Sequence, residues 1–198
     1  MTTRAYIVAA GGANYGSLRE ACRRIGVDAE IGDDPARIGA ATHVILPGVG
    51  AAGHAMRALH ERKLDKALAK VSQPLLGICL GMQLLFEHSV EGDADGLGLL
   101  SGTVQRLPPA PSWPHMGWNT IDAGGREHPL LDGIDGDAWF YFVHGYAASA
   151  GDAAIAKTTH GDAFAAVVAR DNVHGVQFHP EKSAAAGRRL LQNFFALA

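Results

Sequence analysis

The chain has 198 residues, 47% hydrophobic and 19% charged, with 25 glycines and a formal net charge of −3. That balance specifies a globular chain with a sizeable core, and it excludes both disorder and a basic surface for nucleic acid. Two cysteines, Cys22 and Cys79, are too few for a disulfide framework, residues 1–10 are too short an apolar run for a secretory leader, and no stretch approaches a membrane span. A cytoplasmic location is expected.

In chain order, Tyr6-Ile7-Val8-Ala9 reads as a buried strand, followed by a Gly-rich turn and a helix over 18–25. A second strand is expected over 27–31 and a third over 42–46, stopped by Pro47-Gly48. One helical stretch over 54–71 precedes another buried strand over 74–78. This alternation predicts the α/β class, with a central, mostly parallel sheet flanked by helices. From Gly102 the texture changes to short strands over 103–107, 138–143, 153–157, 164–169 and 173–178, which predict an added antiparallel portion. Residues 184–197 form a closing helix with Leu190, Leu191, Phe194 and Phe195 on its apolar side. There is no internal repeat, and the Pro-rich loop at 108–114 is too short to divide the chain, so one domain over 1–198 is expected.

Gly77-Ile78-Cys79-Leu80-Gly81 lies between an apolar strand and a helix starting near Met82. Glycines two residues either side of a central residue suit a sharp strand-to-helix turn, where side chains would strike neighbouring backbone. In such an elbow the helix N-terminus favours a thiolate, and the N–H of Leu80 points where an oxyanion would form. The pentapeptide alone reads equally well as a buried apolar cysteine. Cys22, inside a helix without such a turn, takes that second reading.

A later segment, Gly175-Val176-Gln177-Phe178-His179-Pro180-Glu181, delivers His179 to the end of an apolar strand that Pro180 stops. Glu181 is spaced to place its carboxylate on the side of the imidazole, where it would fix the tautomer and stabilise an imidazolium. No other histidine of the ten ends an apolar strand with Pro and Glu following. Nucleophile, base and orienter thus come from separated segments. The histidines show no His-Glu-x-x-His and the cysteines no Cys-x-x-Cys, so no metal and no cofactor is expected.

Gly77-Ile78-Cys79-Leu80-Gly81-Met82-Gln83 and Val176-Gln177-Phe178-His179-Pro180-Glu181 resemble the two signatures of class I, triad-type glutamine amidotransferases. Leu46-Pro47-Gly48-Val49-Gly50-Ala51, Gln83-Leu84-Leu85-Phe86-Glu87, Pro114-His115-Met116-Gly117-Trp118-Asn119 and Phe140-Tyr141-Phe142-Val143-His144 are similar to the glutaminase subunits of imidazole glycerol phosphate synthase, which serve histidine biosynthesis. The resemblance covers nearly the whole chain. It implies the flavodoxin-like α/β fold of class I glutamine amidotransferases. It also implies thiolate attack on the glutamine side-chain amide, loss of ammonia and hydrolysis of the thioester, with Cys79 as nucleophile, His179 as acid and base, and Glu181 as orienter. The same likeness assigns Leu80 and Val49 to the oxyanion hole, the Val49 N–H turning inward to complete it, and Gly50, Gln83 and Glu91 to the glutamine.

Two departures stand out. The first turn, residues 9–18, lacks the Asp-Tyr-Gly that such proteins usually carry there, which removes support for an interface role of Asn14; the turn also matches no phosphate-binding loop. Gly145 stands where Ser or Thr is common. No segment is left over for a synthetic active site, so an acceptor subunit is expected. The resemblance implies that it is the cyclase, a (β/α)8 barrel forming a heterodimer with this chain, and that Met116, Trp118, Tyr141 and Lys182 meet it. Competing readings are a glutaminase serving another synthase, a cysteine peptidase or γ-glutamyl hydrolase, and a non-catalytic glutamine-binding subunit.

Overall fold

A computed structural model describes residues 3–9, 11–109 and 112–198. Ala10 of the first turn, Ala110 and Pro111 of the Pro-rich loop, and the first two residues of the N-terminal run fall outside the described residues.

The early strands are β1 (Ala5–Val8), β2 (Ala29–Gly32), β3 (His43–Gly48) and β4 (Leu75–Cys79). Between them run α1 (Tyr15–Arg24), α2 (Pro35–Ala40), α3 (Ala52–Glu61) and α4 (Leu64–Leu68). After the one-turn helix α5 (Leu80–Gln83) come β5 (Phe86–Ser89), β6 (Ala94–Asp95), β7 (Leu100–Arg106), β8 (His115–Thr120), β9 (Trp139–His144) and β10 (Tyr146–Ala148). The chain closes with β11 (Ala154–His160), β12 (Asp162–Arg170), β13 (Val173–Val176) and α6 (Ala184–Ala196).

A seven-stranded sheet in the order β11-β12-β13-β4-β3-β1-β2 organises the molecule. Pairing is parallel from β2 through β13 and antiparallel across β13–β12–β11, as the change of texture predicts. Side chains alternate across this sheet with the period of two that a pleated strand imposes. Ile7, Ile45, Ile78 and Val176 face a core shared with Leu18 and Cys22 of α1, Phe140 and Phe142 of β9, and Leu190, Leu191 and Phe194 of α6. Val8, Val44, Leu46 and Leu75 face the opposite core with Ile38 of α2, Leu59 of α3, and Leu64 and Leu68 of α4. A four-stranded sheet, β10-β7-β5-β6, and the two-stranded ribbon β8–β9 complete the framework.

Three expectations need correction. Residues 54–71 are two helices, because Lys63 adopts φ 60° and its N–H folds back to the His60 carbonyl, ending α3 before α4 begins. β3 runs through Pro47-Gly48: β1 pairs with it only as far as Ile45, so the N–H that Pro47 lacks is needed by no neighbour on that side. The helix expected near Met82 is a single turn starting at Leu80, and Phe86 already opens β5.

Candidate active site

β4, in the middle of the sheet, carries Cys79 at its C-terminal end, where the chain turns at once into α5. Cys79 adopts φ 54°, ψ −112°, a conformation that L side chains seldom hold and that surrounding structure must enforce. The neighbouring glycines allow that turn. A Cβ on Gly81 would sit 1.7 Å from the Leu46 carbonyl oxygen, and one on Gly77 would sit 2.7 Å from the Gly81 carbonyl oxygen. On β3, a Cβ at Gly48 would press on the Leu80 Cβ at 3.0 Å. The pattern read as an elbow from sequence therefore has a direct steric cause.

β13 lies beside β4, with Val176 in register with Ile78, so the segment after β13 arrives next to the sulfur. His179 is held from several sides. Its N–H donates to the Tyr141 carbonyl at 2.9 Å, and its own carbonyl accepts from Ser183 Oγ at 2.6 Å. That hydroxyl also accepts from the Tyr141 N–H at 3.0 Å, tying the loop to β9. His179 Nδ1 donates to Glu181 Oε1 at 2.9 Å, with both side chains buried. Burial alone would drive the imidazolium down; the nearby Cys79 sulfur and the Glu181 carboxylate override it and carry His179 up to about 10. The geometry thus brings the thiol, imidazole and carboxylate predicted from sequence to one place.

With Glu181 standing behind His179, Cys79 and His179 border a cavity of about 250 Å³, which Val49, Gly50, Leu80, Gln83 and Glu91 also line. Its remaining wall is the strand end Val143–Tyr146. Both hydrogens of Gln83 Nε2 are committed, to the Tyr146 carbonyl at 2.8 Å and to Gln177 Oε1 at 3.1 Å. Glu91 Oε2 accepts from the Ala52 N–H at 3.0 Å and so caps the start of α3, where Ala51 offers no side-chain cap. Gly50 takes φ 94°, the freedom expected of this loop. The Val49 N–H donates to the Gly12 carbonyl at 3.0 Å and is engaged there, with its side chain 48% exposed. Asn14 Oδ1 accepts from the Ser17 N–H at 3.1 Å and caps α1.

Sequence reasoning missed several residues of this neighbourhood. Gln177 is fully buried and its Nε2 lies 3.8 Å from Cys79 Sγ. Its position two residues before His179 on an extended segment is the clue that could have found it, since such residues share a face. His144 lines the cavity, and its Nδ1 donates to the Tyr146 carbonyl at 2.8 Å. Ser183 left no clue beyond its place after the His-Pro-Glu run. Gly145 is explained by Trp113, whose ring occupies the space a side chain would need: a Cβ there would meet Trp113 Cζ2 at 2.6 Å. The indole N–H donates to the Gly145 carbonyl at 3.0 Å.

Met116 and Trp118 are 63% and 49% exposed on the β8–β9 ribbon, where Trp118 pairs with Tyr141. Lys182 Nζ lies 5.6 Å from the Tyr141 ring centroid, so these four residues form one surface, which Trp139, 56% exposed, extends. Among the described residues, no cluster of three or more His, Cys, Asp or Glu could hold a metal ion, and no helix is long and apolar enough to cross a membrane.

Residues 12–198 match the family described as glutamine amidotransferase class-I. The chain is 49% identical to the imidazole glycerol phosphate synthase subunit HisH of Xylella fastidiosa (strain Temecula1), over 98% of each chain. It is 46% identical to the subunit of the same name from Shewanella loihica, over 96% of this chain and 89% of that one. Among solved structures, one described as a glutamine amidotransferase superposes with a TM-score of 0.75 at 21% identity, covering 96% of this chain and 97% of that one. Another glutamine amidotransferase, from Thermotoga maritima, superposes with a TM-score of 0.67 at 17% identity, covering 98% and 83%. The two structures carry the fold, the family match and the full-length relatives carry the membership: this chain belongs to the class-I glutamine amidotransferase family.

Proposed function

We propose that this chain is the glutaminase subunit of imidazole glycerol phosphate synthase, releasing ammonia from glutamine for a cyclase partner in histidine biosynthesis. The observation that carries this reading is that Cys79 at the end of β4 and His179 from the segment after β13 border one cavity, with the Glu181 carboxylate bonded to the imidazole from behind.

The Cys79 thiolate attacks the side-chain amide carbon of glutamine, and the carbonyl π-electrons move onto oxygen. The N–H of Leu80 and, once its loop turns, that of Val49 receive the oxyanion. His179, protonated, gives its proton to the departing amide nitrogen, so that ammonia leaves and a thioester remains. It then takes a proton from water as that water attacks the thioester; glutamate departs and the thiolate returns. Glu181 holds the imidazole by Nδ1 throughout. Gly50, Gln83 and Glu91 hold the amino-acid end of the substrate; with its nitrogen committed, Gln83 offers its Oε1 to the α-ammonium. No cofactor enters these steps.

The partner is a cyclase subunit with a (β/α)8 barrel, forming a cytoplasmic heterodimer with this chain through Met116, Trp118, Tyr141 and Lys182. Exposed aromatic rings beside a lysine suit such a contact. The Val49–Gly12 hydrogen bond supports low activity in the isolated chain, because one oxyanion donor is turned away. An oxyanion donor is worth about 10²–10³-fold in turnover, so adding the cyclase with its ligand raises glutaminase activity by up to that factor. Full activity of the chain alone would refute this part.

The decisive substitution is Cys79→Ala. It abolishes glutamine-dependent synthesis by the complex and leaves ammonia-dependent synthesis intact. Retained glutamine-dependent activity would end the assignment.

A further inference from the structure

The far wall of the cavity contains a hydrogen-bond chain whose direction one carbonyl dictates. The Tyr146 carbonyl can only accept, so both nitrogens that contact it, Gln83 Nε2 and His144 Nδ1, must donate. With the Gln83 amide fixed this way, its second hydrogen goes to Gln177 Oε1. The other end of the Gln177 carboxamide, Nε2, is thereby turned toward Cys79 Sγ at 3.8 Å. Flipping that amide would set two N–H groups against each other between Gln83 and Gln177. Across the sulfur, the Val143 carbonyl lies at 3.8 Å, a partner that only a protonated thiol can use.

A fully buried carboxamide is an expensive way to fill space, and an apolar side chain would fill it at lower cost. The position makes sense if the N–H serves a negative sulfur, since donors to an ionised acceptor bind more strongly than donors to a neutral one. We propose that Gln177 is a positioning residue for the nucleophile: its N–H, aimed by Gln83 and the Tyr146 carbonyl, holds the Cys79 sulfur and favours its thiolate. This rests on Cys79 being the attacking group. The titratable groups around the sulfur are His179 with Glu181 behind it, and Glu91 and His144 on the cavity walls. Gln177 carries no charge, so Gln177→Met leaves each of these in place.

The test is the rate of Cys79 alkylation by iodoacetamide across pH, read peptide by peptide on the full chain, with thermal melting alongside. Cys22 does not interfere: it is fully buried, and burial pushes its thiol up to about 12. In Gln177→Met, which keeps the volume and removes the donor, alkylation near neutral pH slows by about tenfold and recovers at high pH. Gln177→Glu still accepts from Gln83 but turns an oxygen to the sulfur, and slows it further. Parental alkylation profiles in both folded variants would overturn the proposal, as would a slowing that persists equally at high pH. If instead the parent alkylates no faster than a free thiol, and Cys79→Ala keeps glutamine-dependent activity, the nucleophile assignment itself has failed.

Discussion

Two buried histidines border the same cavity, and the fold drives them in opposite directions. His179 is 5% exposed and His144 is 7% exposed. Burial opposes the charged form of both, and at His144 it prevails, pushing the imidazole down to about 3. At His179 it loses to the Cys79 thiol and the Glu181 carboxylate, and the imidazole rises to about 10. The partners of His144 are a carbonyl and a second histidine, His115, whose Nδ1 lies 3.1 Å from His144 Nε2. Depth therefore does not decide the charge of an imidazole; a paired carboxylate and an ionisable thiol do. One imidazole is built to hold a proton, the other to stay neutral and keep a wall in shape.

The largest effect should come from erasing that difference. Glu181→Gln keeps the hydrogen-bonding shape but removes the charge, and by the precedent of triad carboxylates it lowers glutamine turnover by about 10³–10⁴-fold. Steady-state assay of the complex measures this, and ammonia-dependent synthesis serves as the control. A loss below about tenfold would mean that the carboxylate charge is not what distinguishes His179.

The neutral wall is sharpened by Gly145→Ser. Its Cβ would sit 2.6 Å from Trp113 Cζ2, and overpacking of this kind costs about 1–3 kcal/mol in stability. Adding Trp113→Ala to Gly145→Ser returns part of that loss, and a double-mutant cycle by chemical denaturation gives the coupling.

The smallest effect lies in pH dependence. His115 and His144 titrate lower folded than their ordinary 6.5, at about 4 and about 3. Below pH 6.5 the unfolded chain binds protons that the folded chain refuses, so their contribution is present above 6.5 and lost as pH falls toward 3. His179 behaves in the opposite sense: its contribution is complete below 6.5 and lost as pH rises toward 10. His115→Phe flattens the acid side of a melting-temperature profile and leaves the alkaline side unchanged. Flattening of the alkaline side instead would reverse the assignment.

The sheet and the meeting of Cys79, His179 and Glu181 were legible because each rests on local chemistry. Glycines flank Cys79 because a side chain at 77 or 81 would collide with backbone, and such collisions leave their mark in composition. His179 and Glu181 are close in sequence, so their contact needs no long-range knowledge. The break at Lys63 was hidden, since nothing about a lysine announces a left-handed backbone. β8 and β10 escaped notice for another reason: β8 alternates weakly, β10 has three residues, and both are defined by their partners β9 and β7. The roles of Gln177 and His144 depend on the Tyr146 carbonyl, far from Gln177 along the chain, and no local pattern encodes that meeting.

The tie between the Trp113 indole and the Gly145 carbonyl has a practical consequence. The fluorophore leans on the same peptide that borders the cavity beside Cys79, so a ligand that shifts this peptide changes the ring's surroundings and its emission. With Trp118 and Trp139 replaced by phenylalanine, the chain keeps a single tryptophan lamp, set at the rim of that cavity.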